Sequence, residues 1–236
     1  MKLFKKTAYR LVRKFLYSGY FGDINLNQCL YKHLSDTMLT YIDVGAFDGV
    51  FFDALFAEKK VQSSILIEPQ KDLYDKLKLK YETNSSIKIY NSLLSNKVED
   101  RTFHINKLGA TSSVFEFNTQ LMENQLDITV LKKETIATST LDKLLSSKGT
   151  IVDLLKIDVQ GSELLVLEGA ENILKKTQFI FLEVSFKKIY NEIPTFEEIY
   201  CWLNKRGFEL LEIIPDYRNK KGELLQANCL FKNINL

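Results

Sequence analysis

Three stretches set acids where apolar runs end, and their spacing narrows the chemistry. In "YIDVGAFDGVFF" (residues 41–52), Asp43 precedes a turn that carries Gly45, Ala46 and Gly49. The glycines read G-x-x-x-G, without the G-x-G-x-x-G of a dinucleotide loop or the Lys-Ser/Thr of a P-loop. A triphosphate or dinucleotide would press negative charge against Asp43 and Asp48, a costly contact at short range. A cationic ligand reverses that sign. S-adenosylmethionine carries a sulfonium, an ammonium and a ribose but no phosphate, and it is the cofactor expected at this turn.

Two further acids fit the same ligand. "LIEPQ" ends a second apolar run on Glu68, about twenty residues after the turn, where a carboxylate can accept both ribose hydroxyls. Pro69 follows it, and Asn91 ends a third run, "SIKIYN"; both join the expected cofactor-binding set with Asp43, Gly45, Ala46, Gly49 and Glu68. "LLKIDVQGSE" ends on Asp158, which should reach the same crevice, touch the cofactor, and hold or deprotonate a hydroxyl. The alternative is that Asp158 only caps the next helix. His104, in "RTFHINKLGATSSVFEF", is a candidate base if that segment covers the crevice. Thr111, Ser112 and Ser113 can line the same pocket or simply form a turn. Glu183, in "FIFLEVSF", is a second crevice acid. Asp158 and Glu183 could share a metal, but nothing in their spacing requires one, and none is expected.

These residues need strands ending at one edge. From about residue 39 the chain alternates strand-like and helix-like segments: "LTYIDV", then a helix over "GVFFDALFAEKK"; "SSILIE", then a helix over "PQKDLYDKLKLKYE"; then "SIKIYN". Short strands "RTFHIN", "SSVFEF" and "DITVLKKETI" follow, then a short helix "STLDKLLSS". A strand "VDLLKID", one helix over "GSELLVLEGAENILKK", the strand "FIFLEVSF" and the helix "TFEEIYCWLNKRG" complete the alternation. Continuously apolar strands between helices predict a mostly parallel sheet covered on both faces. "FELLEII" and "QANCLFKN", joined by "PDYRNKKGEL", predict an antiparallel hairpin at the end.

The 236 residues are 45% hydrophobic and 26% charged, ordinary for a globular chain. Cys29, Cys201 and Cys229 are odd in number and widely spaced, which suits neither a disulfide framework nor a zinc site and points to a reduced, cytoplasmic setting. Residues 1–22 hold six of the 32 basic residues and none of the 30 acids, so the rest is net −4. An acidic body is a poor nucleic-acid binder. The arm, residues 1–38, places its basic and apolar residues on opposite helix faces. It is expected either to pack on the domain of residues 39–236 or to make a peripheral contact, through residues 1–18, with the inner membrane surface. A homo-oligomer is compatible with this composition.

"IDVGAFDG", "IEPQKDLYDKL", "LLKIDVQGSELLVLEGA" and "LEVSFKKIYNEIPTFEEIYCWLNKRGFEL" together resemble the FkbM family of S-adenosylmethionine-dependent methyltransferases, over roughly residues 39–232. The resemblance implies a Rossmann-like class I methyltransferase fold, α/β with a seven-stranded, mostly parallel sheet. It also implies O-methylation of a sugar, glycan precursor or small metabolite. By the same resemblance Asp43, Gly45 and Gly49 match the cofactor loop, Glu68 the ribose acid, and Asp158, Gly161 and Glu163 the fourth-strand motif. Phe47 departs from the usual Asn, Gln160 from Glu, and Asn228 from Asp. An amide neither ionises nor takes up a proton usefully, so Gln160 cannot replace a catalytic Glu. Two other readings follow: a methyltransferase fold that binds without turnover, or a nucleic-acid methyltransferase. The missing Pro-Pro-Tyr and Pro-Cys motifs count against the second.

Overall fold

The computed structural model describes residues 29–145 and 151–236. The amphipathic arm falls mainly on residues 1–28 and lies outside them. The strands are β1 (Thr37–Val44), β2 (Lys60–Ile67), β3 (Ile87–Tyr90), β4 (Leu93–Leu94), β5 (Asp100–Asn106), β6 (Val130–Ser139), β7 (Val152–Ile157), β8 (Thr177–Ser185), β9 (Phe208–Arg218) and β10 (Leu224–Asn233). The helices are α1 (Val50–Glu58), α2 (Lys71–Lys80), α3 (Thr119–Met122), α4 (Leu141–Leu144), α5 (Glu163–Glu168), α6 (Glu171–Leu174) and α7 (Phe196–Asn204).

Seven strands form one sheet in the order β3-β2-β1-β7-β8-β10-β9. Pairing is parallel from β3 to β8, and β10 runs antiparallel to both β8 and β9. The expected C-terminal hairpin is therefore present, and it is longer than its apolar core suggests. Its first strand continues through Pro215 to Arg218. Because β9 is the edge strand, Pro215 can face outward and its missing N–H breaks no ladder.

Successive strand residues alternate between two cores. Ile42, Val44, Leu155, Ile157, Ile180 and Leu182 meet α4 to α7 on one face. Tyr41, Leu154, Phe181 and Leu230 meet α1, α2 and residues 30–34 on the other. Leu30, Tyr31 and Leu34 are buried in this second core and β1 begins at Thr37. Residues 30–38 thus pack with the domain, and the expected boundary at 38/39 cuts through a strand.

Two expectations fail locally. The single helix over residues 161–176 is broken into α5 and α6 at Gly169, where an added Cβ would lie 2.2 Å from the Ser95 carbonyl oxygen. Asp142 re-starts the chain there, accepting hydrogen bonds from the N–H groups of Asn172 (2.9 Å) and Ile173 (3.0 Å). "SSVFEF" forms no strand; Ser113 and Phe117 make isolated bridges to His104 and Tyr190. β4, β6 and β5 form a separate three-stranded sheet, inserted between β3 and β7.

Candidate active site

Strand order reverses direction at β1 and β7, and in such sheets the ligand crevice opens beyond the carboxyl ends of the strands at that point. A cleft of about 230 Å³ lies there. Its floor is the turn after β1. Gly45 has φ +80°, and a Cβ on it would sit 1.9 Å from the Asp158 carbonyl oxygen, so only glycine lets the two strand ends approach. Phe47 is also left-handed, at φ 50°. Its N–H donates to Glu68 Oε2 at 2.9 Å, while the Gln70 N–H donates to Oε1 at 2.9 Å. One carboxylate thereby fixes the turns after β1 and β2 together. Burial pushes the Glu68 carboxyl up to about 7, against the pull of those two donors.

Gly45, Ala46, Glu68, Pro69 and Asp158 all line the cleft. The other expected residues do not. Asp43 is fully buried: its Oδ1 accepts from Lys156 Nζ at 2.9 Å and its Oδ2 from the Tyr41 hydroxyl at 2.8 Å. Asp43 and Lys156 are register partners across β1 and β7. The expected meeting of Asp43 with a ligand's positive end is therefore corrected; its charge is answered from within. Burial draws the Lys156 ammonium's pKa down, but Asp43 and Asp158 outweigh it and raise the net value. Gly49, at φ +75°, begins α1 beneath the Tyr81 hydroxyl. Asn91 donates 2.9 Å hydrogen bonds to the carbonyls of Glu68 and Pro69, holding the turn from outside the cleft.

His104 is likewise corrected. Phe103 lines the cleft, so its neighbour on β5 points to the opposite face. There the buried His104 ring has Nε2 3.8 Å from Glu116 Oε1 and Nδ1 without a partner. Ser112 lines the cleft, whereas Ser113 donates to the Gln160 carbonyl at 2.7 Å.

Beyond the turn, a second group of polar side chains faces the cleft: Asp158, Gln160, Ser162, Asp216 and Asn228. The Asp158 side chain is 37% exposed. Gln160 Nε2 donates to Asp158 Oδ1 at 2.8 Å and to Glu183 Oε2 at 3.1 Å. Gln226 Nε2 adds a 2.6 Å bond to the same Glu183 oxygen. Burial, then Asp158 and Asp216, push the Glu183 carboxyl well above its usual range, and Asp216 is hydrogen-bonded to it. Glu163 lies under the β7–α5 turn, where it accepts from the N–H groups of Val159 (3.1 Å) and Gly161 (3.0 Å). Burial lifts it to about 7.

Sequence reading did not find Lys156 or Asp216. A lysine inside the apolar run "VDLLKI" needs a buried partner, so "LLKID" did carry a signal. Asp216 carried none, since it sits in what reads as a turn. Among the described residues, no group of three His, Cys, Asp or Glu side chains is arranged to hold a metal ion.

The family model of the methyltransferase FkbM domain matches residues 43–210, which include the turn, Glu68 and Asp158. The chain belongs to the FkbM methyltransferase family. Solved structures agree on the fold. The FkbM methyltransferase from Methylobacillus flagellatus aligns with TM-score 0.50 and 15% identity, over 84% of this chain and 44% of its own. The chain thus spans less than half of that protein. TrmK from M. capricolum, solved with S-adenosyl-homocysteine, aligns with TM-score 0.52 and 10% identity, over 91% and 70%. An S-adenosylmethionine-dependent methyltransferase from Clostridium acetobutylicum gives TM-score 0.52 and 9% identity, over 98% of each chain. At these identities the likeness concerns the class I methyltransferase fold alone. No curated protein sequence matches the chain.

Proposed function

We propose that this FkbM-family chain binds S-adenosylmethionine and methylates a hydroxyl of a sugar, glycan precursor or small metabolite. The observation that carries this reading is Glu68, pinned by two backbone N–H groups beside a left-handed glycine turn. A carboxylate so fixed accepts a pair of ribose hydroxyls without reorganising. Phe47, Ile67, Leu93 and Phe103 offer apolar surface for the base, and among the described lining residues the one cation, Lys156, is paired with Asp43. When bound, the cofactor supplies an electrophilic methyl group, whose carbon–sulfur bonding pair returns to sulfur as the acceptor oxygen takes the methyl. Asp158, exposed at the cleft mouth, receives the hydroxyl proton, a contribution of roughly 10²–10⁴-fold where a base is well placed. Holding the acceptor oxygen in line supplies more.

Nucleic acid fits the cleft poorly. Among the described lining residues Lys156 is the one Lys or Arg, and Asp43 neutralises it; phosphate backbones need free cations. The arm either packs on the domain or lies on an anionic membrane surface, and sedimentation with anionic vesicles distinguishes the two. Among the described residues no helix is long and apolar enough to cross a membrane. Calorimetric titration with S-adenosylmethionine and S-adenosylhomocysteine tests the cofactor. Micromolar binding, weakened at least tenfold in Glu68→Ala, is expected. No binding to the wild type sinks the proposal.

A further inference from the structure

Gln160 occupies an unusual junction. Its backbone is left-handed, at φ 55°, and its carbonyl accepts from Ser113 Oγ at 2.7 Å. Its amide nitrogen donates to two different carboxyl groups, Asp158 at the end of β7 and Glu183 on β8. Its amide oxygen lies 2.9 Å from the Tyr190 hydroxyl. Every polar atom of the side chain therefore has a partner, and the partners come from three separate parts of the chain.

An amide is the side chain this junction requires. Two carboxyl groups facing one another repel when both ionise. A primary amide has two N–H donors, one for each, and an acceptor oxygen left for the tyrosine. A carboxylate in its place would put a third negative group between two acids and offer no donor. Protonated, it would offer one.

We propose that Gln160 is a positioning residue whose amide ties Asp158 to Glu183 and so holds the Asp158 carboxylate, by Oδ1 alone, open to the acceptor. This rests on Asp158 being the group that meets the acceptor's proton. The bond leaves Oδ2 of Asp158 unengaged by Gln160, and Lys156 Nζ lies 3.8 Å from it. Burial, Asp158 and Asp216 all push the Glu183 pKa up. The other charged groups facing this junction are Asp43 on β1, Lys156 on β7, Glu163 on α5 and Asp216 on β9.

Thermal unfolding of the full chain at pH 5 and pH 8 tests the bridge without an acceptor. Asp158 and Glu183 touch residue 160 and titrate with it, so the test compares the pH dependence of Gln160→Glu with that of Gln160→Met. In Gln160→Glu the introduced carboxyl prefers its proton in the fold and loses it more readily when unfolded. The Tm deficit should therefore grow as pH rises, by at least about 4 °C between the two conditions, on a scale of ~2–4 °C per kcal/mol for a chain of this size. Gln160→Met should show a deficit that does not depend on pH. The exchange Gln160→Glu with Glu183→Gln restores an acid–amide contact and should recover at least half of the loss at pH 8. A pH-independent deficit in Gln160→Glu, or additive losses in the exchange, overturns the proposal. If Gln160→Glu fails to fold at pH 8, the exchange variant alone decides by folding or not folding. S-adenosylhomocysteine titration of the wild type reads the cofactor assignment separately, so the two failures are told apart.

Discussion

Glu68 shows how far a single side chain's setting governs what it can bind. Its carboxyl is held up to about 7 by burial, above the usual ~4.3 for glutamate. Near neutral pH it is thus divided between two forms. Hydroxyl donors from a ribose stabilise only the ionised form, so binding should draw the proton off. Affinity for S-adenosylmethionine is expected to level above pH 7 and to fall toward tenfold per pH unit below it. Glu68→Gln should bind weakly at every pH and lose that slope. Calorimetry from pH 5.5 to 8.5 checks both. A flat wild-type profile would remove Glu68 from the binding step. The identity of this acid was legible in "LIEPQ", because a strand end specifies direction. Its clamp by the N–H groups of Phe47 and Gln70 was not, because left-handed Phe47 is a tertiary outcome that its residue type disfavours.

Among the elements, α7 has a start that its sequence specifies. Thr195 and Glu198 form a capping box, with the Glu198 carboxylate accepting from the Thr195 N–H at 2.7 Å. Ile199 and Leu203 face the core from the helix it starts. Thr195→Ala should cost ~1 kcal/mol, a Tm loss of about 2–4 °C, with S-adenosylhomocysteine affinity unchanged. A changed affinity would mean that α7 is coupled to the cleft. The break between α5 and α6 was not legible, although Gly169 stands at it. A lone glycine in a helical pattern is usually tolerated, and only the carbonyl of Ser95, far away in sequence, makes it a break. His104 failed for a related reason. Its segment was correctly read as a strand, but which face of a strand meets a cleft depends on how the inserted sheet docks.

Across the whole molecule, the ion pair of Asp43 and Lys156 joins the two strands at which the sheet turns its order around. Both partners are buried. Removing one leaves a bare charge in the interior, which costs about 3–5 kcal/mol. Lys156→Met should therefore destabilise the protein severely, and Asp43→Asn added to it should recover part of the loss. Denaturant midpoints of the wild type and the two variants measure this; equal midpoints for wild type and Lys156→Met would mean that the pair contributes nothing. The mostly parallel sheet followed from apolar strands alternating with helices and the C-terminal hairpin from its turn-rich connection, whereas the count of seven strands followed from the family resemblance. The small sheet of β4, β5 and β6 was not legible, because β4 has two residues and the three strands pair out of sequence order.

The register of Asp43 with Lys156 also sets a timetable for folding. β1 finds β2 across a few tens of residues, but its other neighbour, β7, lies 113 positions away. A nascent chain can zip β1 to β2 and β3 early. It must then keep one edge of β1 open until nearly half the polypeptide has followed, and contacts so distant slow the closing step. That open edge carries the unpaired Asp43, and a charge on an exposed strand edge discourages strangers from pairing with it. The acid that later anchors the finished sheet would, in the meantime, guard the unfinished one.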